Sequence, residues 1–130
     1  METASIDGVS LTWDAAHSIA RFGFEAETIG TGRVAEHLTA AFGRWVDGRP
    51  GKFALLADVR RLSNVDAGWR AAWASFFKAR LPRGYLAAYG MNPIVRVAAQ
   101  MFAIGTGVPL KAFGDETTAL AWLREQGIGS

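Results

Sequence analysis

The sequence contains no cysteine among its 130 residues and only two histidines, His17 and His37. The absence of cysteine excludes disulfide frameworks, thiolate zinc sites, iron–sulfur clusters and cysteine nucleophiles. Neither histidine has a second ligand at a metal-binding spacing, and the sequence carries no nucleophile-elbow, zincin or Walker A motif. We therefore predict a protein that is not an enzyme and that binds no cofactor or metal.

The sequence also lacks a long uninterrupted apolar run. Its most apolar stretch, residues 93–105, is interrupted by Arg96 and Gln100 and is shorter than the ~20 residues that span a bilayer. The first 14 residues carry three acids and no basic region, unlike a secretory signal. These features predict a cytoplasmic protein without a transmembrane segment.

The net charge of the chain is small, but basic residues are concentrated in one segment. The formal net charge is +2, from 14 basic and 12 acidic residues, which is too small to indicate a nucleic-acid partner. Residues 60–83, however, contain six basic residues and a single acid, Asp66. This segment forms either a solvated face with counterions or a surface for an anionic partner or ligand.

Five segments have the hydropathy patterns of β-strands. The first two alternate apolar and polar residues, as half-buried strands of an antiparallel hairpin do, and a short connection joins them. The other three are short, mainly apolar runs, as in buried strands. The predicted strands span residues 9–14, 19–27, 53–59, 85–89 and 109–113.

Four further segments repeat apolar residues every three or four positions, which predicts amphipathic helices. Each follows a residue that can cap a helix, namely Thr31, Asp66, Asn92 or Asp115. The element order, β-β-α-β-α-β-α-β-α, predicts one α/β domain over residues 1–130. We expect a single mixed β-sheet of about five strands, an N-terminal antiparallel hairpin followed by parallel βα units, with four helices.

One glycine-rich string, Gly30–Ala35, is similar to a dinucleotide-binding fingerprint. It has the G-x-G-x-x-A pattern before a helix, and Asp58 lies 23 residues beyond its end, near the spacing of the ribose-binding acid. The preceding strand carries Glu25 and Glu27 where a pyrophosphate would approach. We therefore favour an ordinary glycine-bearing start of a helix.

The third predicted helix is apolar on most of its circumference. Only Arg96 and Gln100 form a narrow polar stripe, so the helix requires cover on nearly all sides. A neighbouring helix, a second subunit, a partner's groove or a lipophilic ligand would each provide it. The apolar residues are Ile94, Val95, Val97, Ala98, Met101, Phe102 and Ile104.

Three strings, together with the element order, resemble the STAS domain and in particular its SpoIIAA-like group, which is structurally near the CRAL-TRIO lipid carriers. The strings are FALLADVRRLSNVDAGWR from Phe53, NPIVRVAAQMFAIGTGVPLKAFGD from Asn92 and DETTALAWLRE from Asp115. The resemblance implies a STAS-like fold with an interaction surface around the first string, and no reaction.

The family's serine phosphorylation switch is absent here, because this sequence departs from the STAS pattern. STAS antagonists carry a phosphorylatable serine after a second aspartate in this loop, and Asp58 and Asp66 match the two aspartates. Ala67 and Gly68 follow Asp66, so neither offers a hydroxyl, and Ser63 is out of register.

The leading functional hypothesis is a non-catalytic regulatory or interaction module that binds a protein partner or itself as a homodimer. The alternative is a carrier of a small lipophilic ligand, which requires an apolar pocket of several hundred Å³, and an enzyme of unrecognised mechanism is a remote third. The candidate contact residues are Asp58, Arg60, Arg61, Ser63, Asp66, Trp69, Arg70, Trp73, Arg96, Met101 and Phe102.

Overall fold

In the computed structural model, which describes residues 1–129, eight strands and four helices follow one another along the chain. The strands are β1 (Glu2–Ile6), β2 (Val9–Asp14), β3 (Ile19–Phe24), β4 (Thr28–Gly30), β5 (Phe53–Asp58), β6 (Leu62–Val65), β7 (Gly84–Tyr89) and β8 (Leu110–Phe113). The helices are α1 (Gly32–Val46), α2 (Ala67–Lys78), α3 (Pro93–Thr106) and α4 (Glu116–Glu125).

Six of the strands form one mixed sheet in the order β1-β2-β3-β5-β7-β8. Strands β1, β2 and β3 pair antiparallel, whereas β3, β5, β7 and β8 pair parallel. Strands β4 and β6 form a separate two-stranded parallel sheet. The predicted α/β architecture is confirmed, with an antiparallel N-terminal hairpin followed by parallel βα units, and the main sheet has six strands.

Three strands, β1, β4 and β6, were not predicted from the sequence. Strand β1 lies at the edge of the sheet and is mostly exposed, so its sequence has little apolar alternation. Strands β4 and β6 have only three and four residues, too few to show a period of two. The predicted strand over residues 19–27 ends at Phe24, because the chain bends at Glu25 and Ala26.

The helices cover the two faces of the sheet unequally. Helices α1, α2 and α3 pack against one face, and α4 packs against β5, β7 and β8 on the other. Strand β5 is therefore buried from Phe53 to Ala57, which confirms the prediction of a buried strand for this apolar run.

All four predicted N-caps are confirmed by side-chain hydrogen bonds. Thr31, Asp66, Asn92 and Asp115 each accept a hydrogen bond from the backbone N–H three residues later. These bonds satisfy donors that a helix leaves free in its first turn.

The glycines of the Gly30–Ala35 string are used for close packing. A Cβ on Gly32 would lie 3.0 Å from the Cα of Gly68, and a Cβ on Gly30 would lie 2.7 Å from the ring of Trp69. The N-termini of α1 and α2 therefore approach each other backbone to backbone. Packing accounts for these glycines without a nucleotide.

We expect Gly68→Ala to lower the free energy of unfolding by about 1–3 kcal/mol, because the new methyl group would lie 2.8 Å from the Cα of Gly32. The matched control is Gly105→Ala in α3, where no atom lies within 4 Å of the added Cβ. Alanine forms helices better than glycine, so the free energy of unfolding of the control should rise by about 0.5–1 kcal/mol. Urea denaturation would measure the stability of both variants. Higher stability in both would contradict the close approach of α1 and α2.

Candidate functional site

Helix α3 is bonded to β6 at its start and ends in a glycine cap. The Asn92 side chain accepts the Val95 N–H at 2.8 Å, and its amide nitrogen donates to the carbonyls of Leu62 and Ser63. At the other end, Gly107 adopts a left-handed conformation with φ 74° and donates its N–H to the Ala103 carbonyl, as is common at helix C-termini. The start of α3 is therefore tied to β6.

The inner face of α3 covers an apolar cavity of about 90 Å³ that lies between α2, α3 and the main sheet. We call it the α3 cavity. It is smaller than the several hundred Å³ expected for a lipid carrier, because aromatic side chains of α2 and α3 fill much of the space. The lining residues are Phe22, Leu55, Ala57, Val59, Leu62, Val65, Trp69, Arg70, Trp73, Leu86, Ala88, Met91, Val95, Ala98, Ala99, Phe102 and Leu110.

One buried polar atom of helix α2 lacks a hydrogen-bond partner. The Nε1 of Trp73 is buried and has no hydrogen-bond partner within residues 1–129. The whole Trp73 residue is only 4% exposed, and rings of Phe22, Trp69 and Phe77 surround it. A buried indole N–H usually finds an acceptor.

The outer face of α3 carries a stripe of four exposed apolar side chains, which we call the α3 stripe. The exposed fractions are 58% for Ile94, 56% for Val97, 68% for Met101 and 85% for Ile104. Their spacing of i, i+3, i+7 and i+10 places them on one side of the helix. The chain itself therefore covers α3 on its inner side only, and the predicted cover on nearly all sides is not supplied by residues 1–129.

The loop after β5 is stabilised by hydrogen bonds within the chain. Arg60 donates to both carboxylate oxygens of Asp58 at 2.9 and 2.6 Å. The Arg60 guanidinium lowers the pKa of Asp58, and Asp58 raises the pKa of Arg60. Arg61 donates to the carbonyls of Phe24 and Glu25 at 3.0 and 2.9 Å. Both arginine side chains are therefore hydrogen-bonded to acceptors beside the sheet.

The residues between this loop and α2 also make structural contacts. The Ser63 hydroxyl donates to the Thr28 carbonyl at 3.1 Å, which joins β6 to β4. Asp66 caps α2 by accepting the Trp69 N–H at 2.8 Å. These contacts give Ser63 and Asp66 structural roles, and that of Asp66 is the predicted cap.

Most of the basic side chains in residues 60–83 donate hydrogen bonds to acceptors within the protein. Besides Arg60 and Arg61, Arg80 donates to Asp47 at 2.8 and 2.7 Å and lowers the pKa of Asp47. Arg83 donates to three backbone carbonyls. Four of the six basic residues therefore donate to acceptors within the chain.

The candidate contact residues fall into three separate places. Trp69, Arg70, Trp73 and Phe102 line the α3 cavity. Arg96 and Met101 are exposed on α3, and residues 58–66 form the loop, β6 and the cap described above. Sequence reasoning did not select Ile94, Val97 and Ile104 as contact residues. Their heptad-like spacing was visible in the sequence. The sequence did not show which side of α3 faces the core.

Polar groups at the carboxyl ends of the parallel strands are paired with one another. Arg21 pairs with Glu116, and Asp58 pairs with Arg60. Burial, followed by the charge of Asp58, raises the pKa of the nearby Tyr89 phenol. His17 contacts Asp14 at 2.7 Å in the β2–β3 hairpin. Among residues 1–129, no three histidine or carboxylate side chains form a candidate metal site.

No protein-family model and no curated protein matches this chain. The mixed sheet, with its antiparallel hairpin followed by parallel βα units, is consistent with the STAS-like resemblance. None of the helices within residues 1–129 combines the length and hydrophobicity required to cross a membrane.

Proposed function

We propose that this protein is a non-catalytic, STAS-like interaction module that forms a homodimer through the α3 stripe. The observation that carries the proposal is the set of four apolar side chains, each more than half exposed, on one side of a helix whose start is bonded to β6. Such a patch on a rigid element is typical of a protein interface.

A second copy fits the symmetry of the stripe. The intervals of three, four and three residues read the same from either end of α3. Two α3 helices related by a two-fold axis and packed antiparallel would therefore place Ile94 opposite Ile104 of the second copy, and Val97 opposite its Met101. A two-fold interface requires a patch that is complementary to itself, and the symmetric spacing of the stripe supports such pairing.

Charge does not oppose this pairing. The four side chains of the stripe are uncharged, and Arg96 is the single charged residue between Pro93 and Thr106. In the antiparallel arrangement the two Arg96 residues would be offset by six positions, or about 9 Å along the helix axis. At that separation, water and salt screen their repulsion.

The expected dimer is reversible. Burying the exposed parts of eight apolar side chains would contribute about 10 kcal/mol in total. The loss of translational and rotational freedom on association opposes this by at least about 4 kcal/mol. At the lowest cost, the balance corresponds to a dissociation constant of about 10–100 µM, as in a regulated, non-permanent assembly.

The sheet geometry supports the non-catalytic part of the proposal. Strands β3, β5, β7 and β8 are added in one direction, and α1, α2 and α3 lie on the same face. The crevice that binds ligands in doubly wound proteins forms where the strand order reverses, and the described parallel strands contain no such reversal.

Sedimentation velocity at 1–500 µM tests the proposal. We expect wild-type protein to dimerise, and Met101→Glu to weaken dimerisation by at least about 30-fold, because two carboxylates would be buried near the two-fold axis. The matched control is Ala121→Glu, which adds the same charge at an exposed position of α4 and should dimerise like wild type. A wild-type monomer at 500 µM, or equal weakening by both variants, would refute the proposed dimer.

A further inference from the structure

We propose that the groove between α3 and the edge strand β8 binds an extended, acidic segment of a partner protein, which pairs with β8 and adds a strand to the main sheet. We call it the β8 groove. It is bounded by Arg96, Ala103 and Ile104 of α3 and by residues 110–112 of β8. The groove shares only Ile104 with the α3 stripe, so this binding goes beyond self-association and either can fail alone.

The first argument is the unpaired backbone of β8. This strand ends the main sheet, and within the described residues it pairs with β7 alone. The Leu86 N–H of β7 donates to the Pro109 carbonyl. Backbone groups of alternate residues point to opposite sides of a strand, so those of Leu110 and Ala112 point away from β7. Two N–H groups and two carbonyls are therefore available to an added strand.

The second argument is the apolar surface of α3 beside this edge. Leu110 lines the α3 cavity as well as the groove, so its side chain and that of Ala112 lie on the α3 face of the sheet. Every second side chain of an added strand would point to the same face, toward Ala103 and Ile104. Backbone pairing at a sheet edge, with alternate side chains held in an adjoining groove, is a recurring mode of peptide recognition.

The third argument is charge. Arg96 and Lys111 are the only charged residues among the nine that line the groove, and both are exposed. Neither forms an ion pair with a carboxylate within residues 1–129. An acidic segment would complement both. A lysine on an edge strand also opposes pairing of two identical edges, which favours a partner protein over a second copy.

The probe is a blocked, fluorescein-labelled peptide of sequence VEVEVE, whose valines would face α3 when its backbone pairs with β8. Fluorescence anisotropy measures its binding to the wild-type protein, and we expect a Kd below about 200 µM. The peptide VKVKVK should bind at least about tenfold more weakly, because its lysines would approach Arg96 and Lys111. In ¹H–¹⁵N spectra, the amide protons of Leu110 and Ala112 should shift downfield with the acidic peptide, because they become hydrogen-bonded.

Two N-methylated forms of the acidic peptide test the pairing itself. One carries N-methyl groups on its three valines and the other on its three glutamates. Only alternate N–H groups of an added strand face β8, so one form should lose at least about tenfold in affinity and the other should bind like the parent. Equal affinities of the two forms would contradict strand addition.

Two variants test the location of the site. Arg96→Glu and Lys111→Glu should each weaken the acidic peptide by at least about tenfold. The matched control is Lys78→Glu, which makes the same change of charge at an exposed position of α2 outside the groove and should bind like wild type. Thermal melts would establish that each variant is folded.

Three outcomes would overturn the proposal. The first is no binding of the acidic peptide by about 500 µM wild-type protein. The second is equal binding of the acidic and basic peptides, or equal weakening by Lys111→Glu and Lys78→Glu. The third is loss of self-association in Lys111→Glu without any binding of the peptide, which would assign the β8 edge to a second copy of the chain.

Discussion

Replacing Phe42 by alanine is expected to lower the free energy of unfolding by about 3–5 kcal/mol. Phe42 is completely buried, and its ring joins α1 to three other elements. Its centroid lies 4.6 Å from that of Phe76, 5.4 Å from Phe53, 5.9 Å from Trp13 and 6.3 Å from Trp73. Alanine would leave a cavity at the point where α1, α2 and the sheet meet, and aromatic pairs add to the loss.

Thermal denaturation would measure this effect, with an expected decrease in Tm of roughly 10–20 °C. The matched control is Phe113→Ala on β8. Phe113 is only half-buried and packs against Trp122 at 5.8 Å on the other face of the sheet. We expect it to lose less than half as much stability. Equal losses would show that the cluster around Phe42 is not the centre of the core.

Arg83→Ala is expected to lower the free energy of unfolding by about 2–4 kcal/mol, because three charge-assisted hydrogen bonds are lost. The Arg83 guanidinium donates to the carbonyl oxygens of Gly51 at 2.9 Å, Val46 at 2.8 Å and Arg49 at 2.6 Å. It also lies over the ring of Phe53, 5.5 Å from its centroid. The Arg83 side chain therefore links the end of α1 to the loop that leads into β5.

Arg83→Lys should recover little of this stability. A guanidinium presents a planar fork of donors, whereas an ammonium is a compact charge that cannot span the same three carbonyls. The control is Lys78→Ala, which removes a positive charge from an exposed position of the same segment and should change stability by less than about 0.5 kcal/mol. If Lys at position 83 restored wild-type stability in urea titrations, positive charge alone would account for the role of Arg83.

Local signals in the sequence predicted local structure well. The four helix caps depend on a side chain bonding a backbone N–H three residues away, so Thr31, Asp66, Asn92 and Asp115 could be identified without knowledge of the fold. The buried run from Phe53 likewise predicted the central strand β5, because a strand covered on both faces has no polar alternation.

Features that depend on distant partners were not predictable. The basic segment suggested an anionic partner, yet Arg80 pairs with Asp47, and Arg83 donates to carbonyls of residues 46–51. These acceptors lie more than 30 residues earlier in the chain. The similarity of Gly30–Ala35 to a nucleotide fingerprint also has a distant explanation, because Gly32 packs against Gly68.

Helix α3 shows most clearly which features depend on the local sequence and which depend on the tertiary structure. The sequence by itself determined that α3 is a helix, where it begins and that apolar residues occupy most of its circumference, since periodicity and capping are properties of a short segment. Only the tertiary structure decided that Val95, Ala98 and Phe102 face the sheet while Met101 and its neighbours on the stripe face outward. That choice depends on the sheet order and on the position of α2, which long-range packing sets.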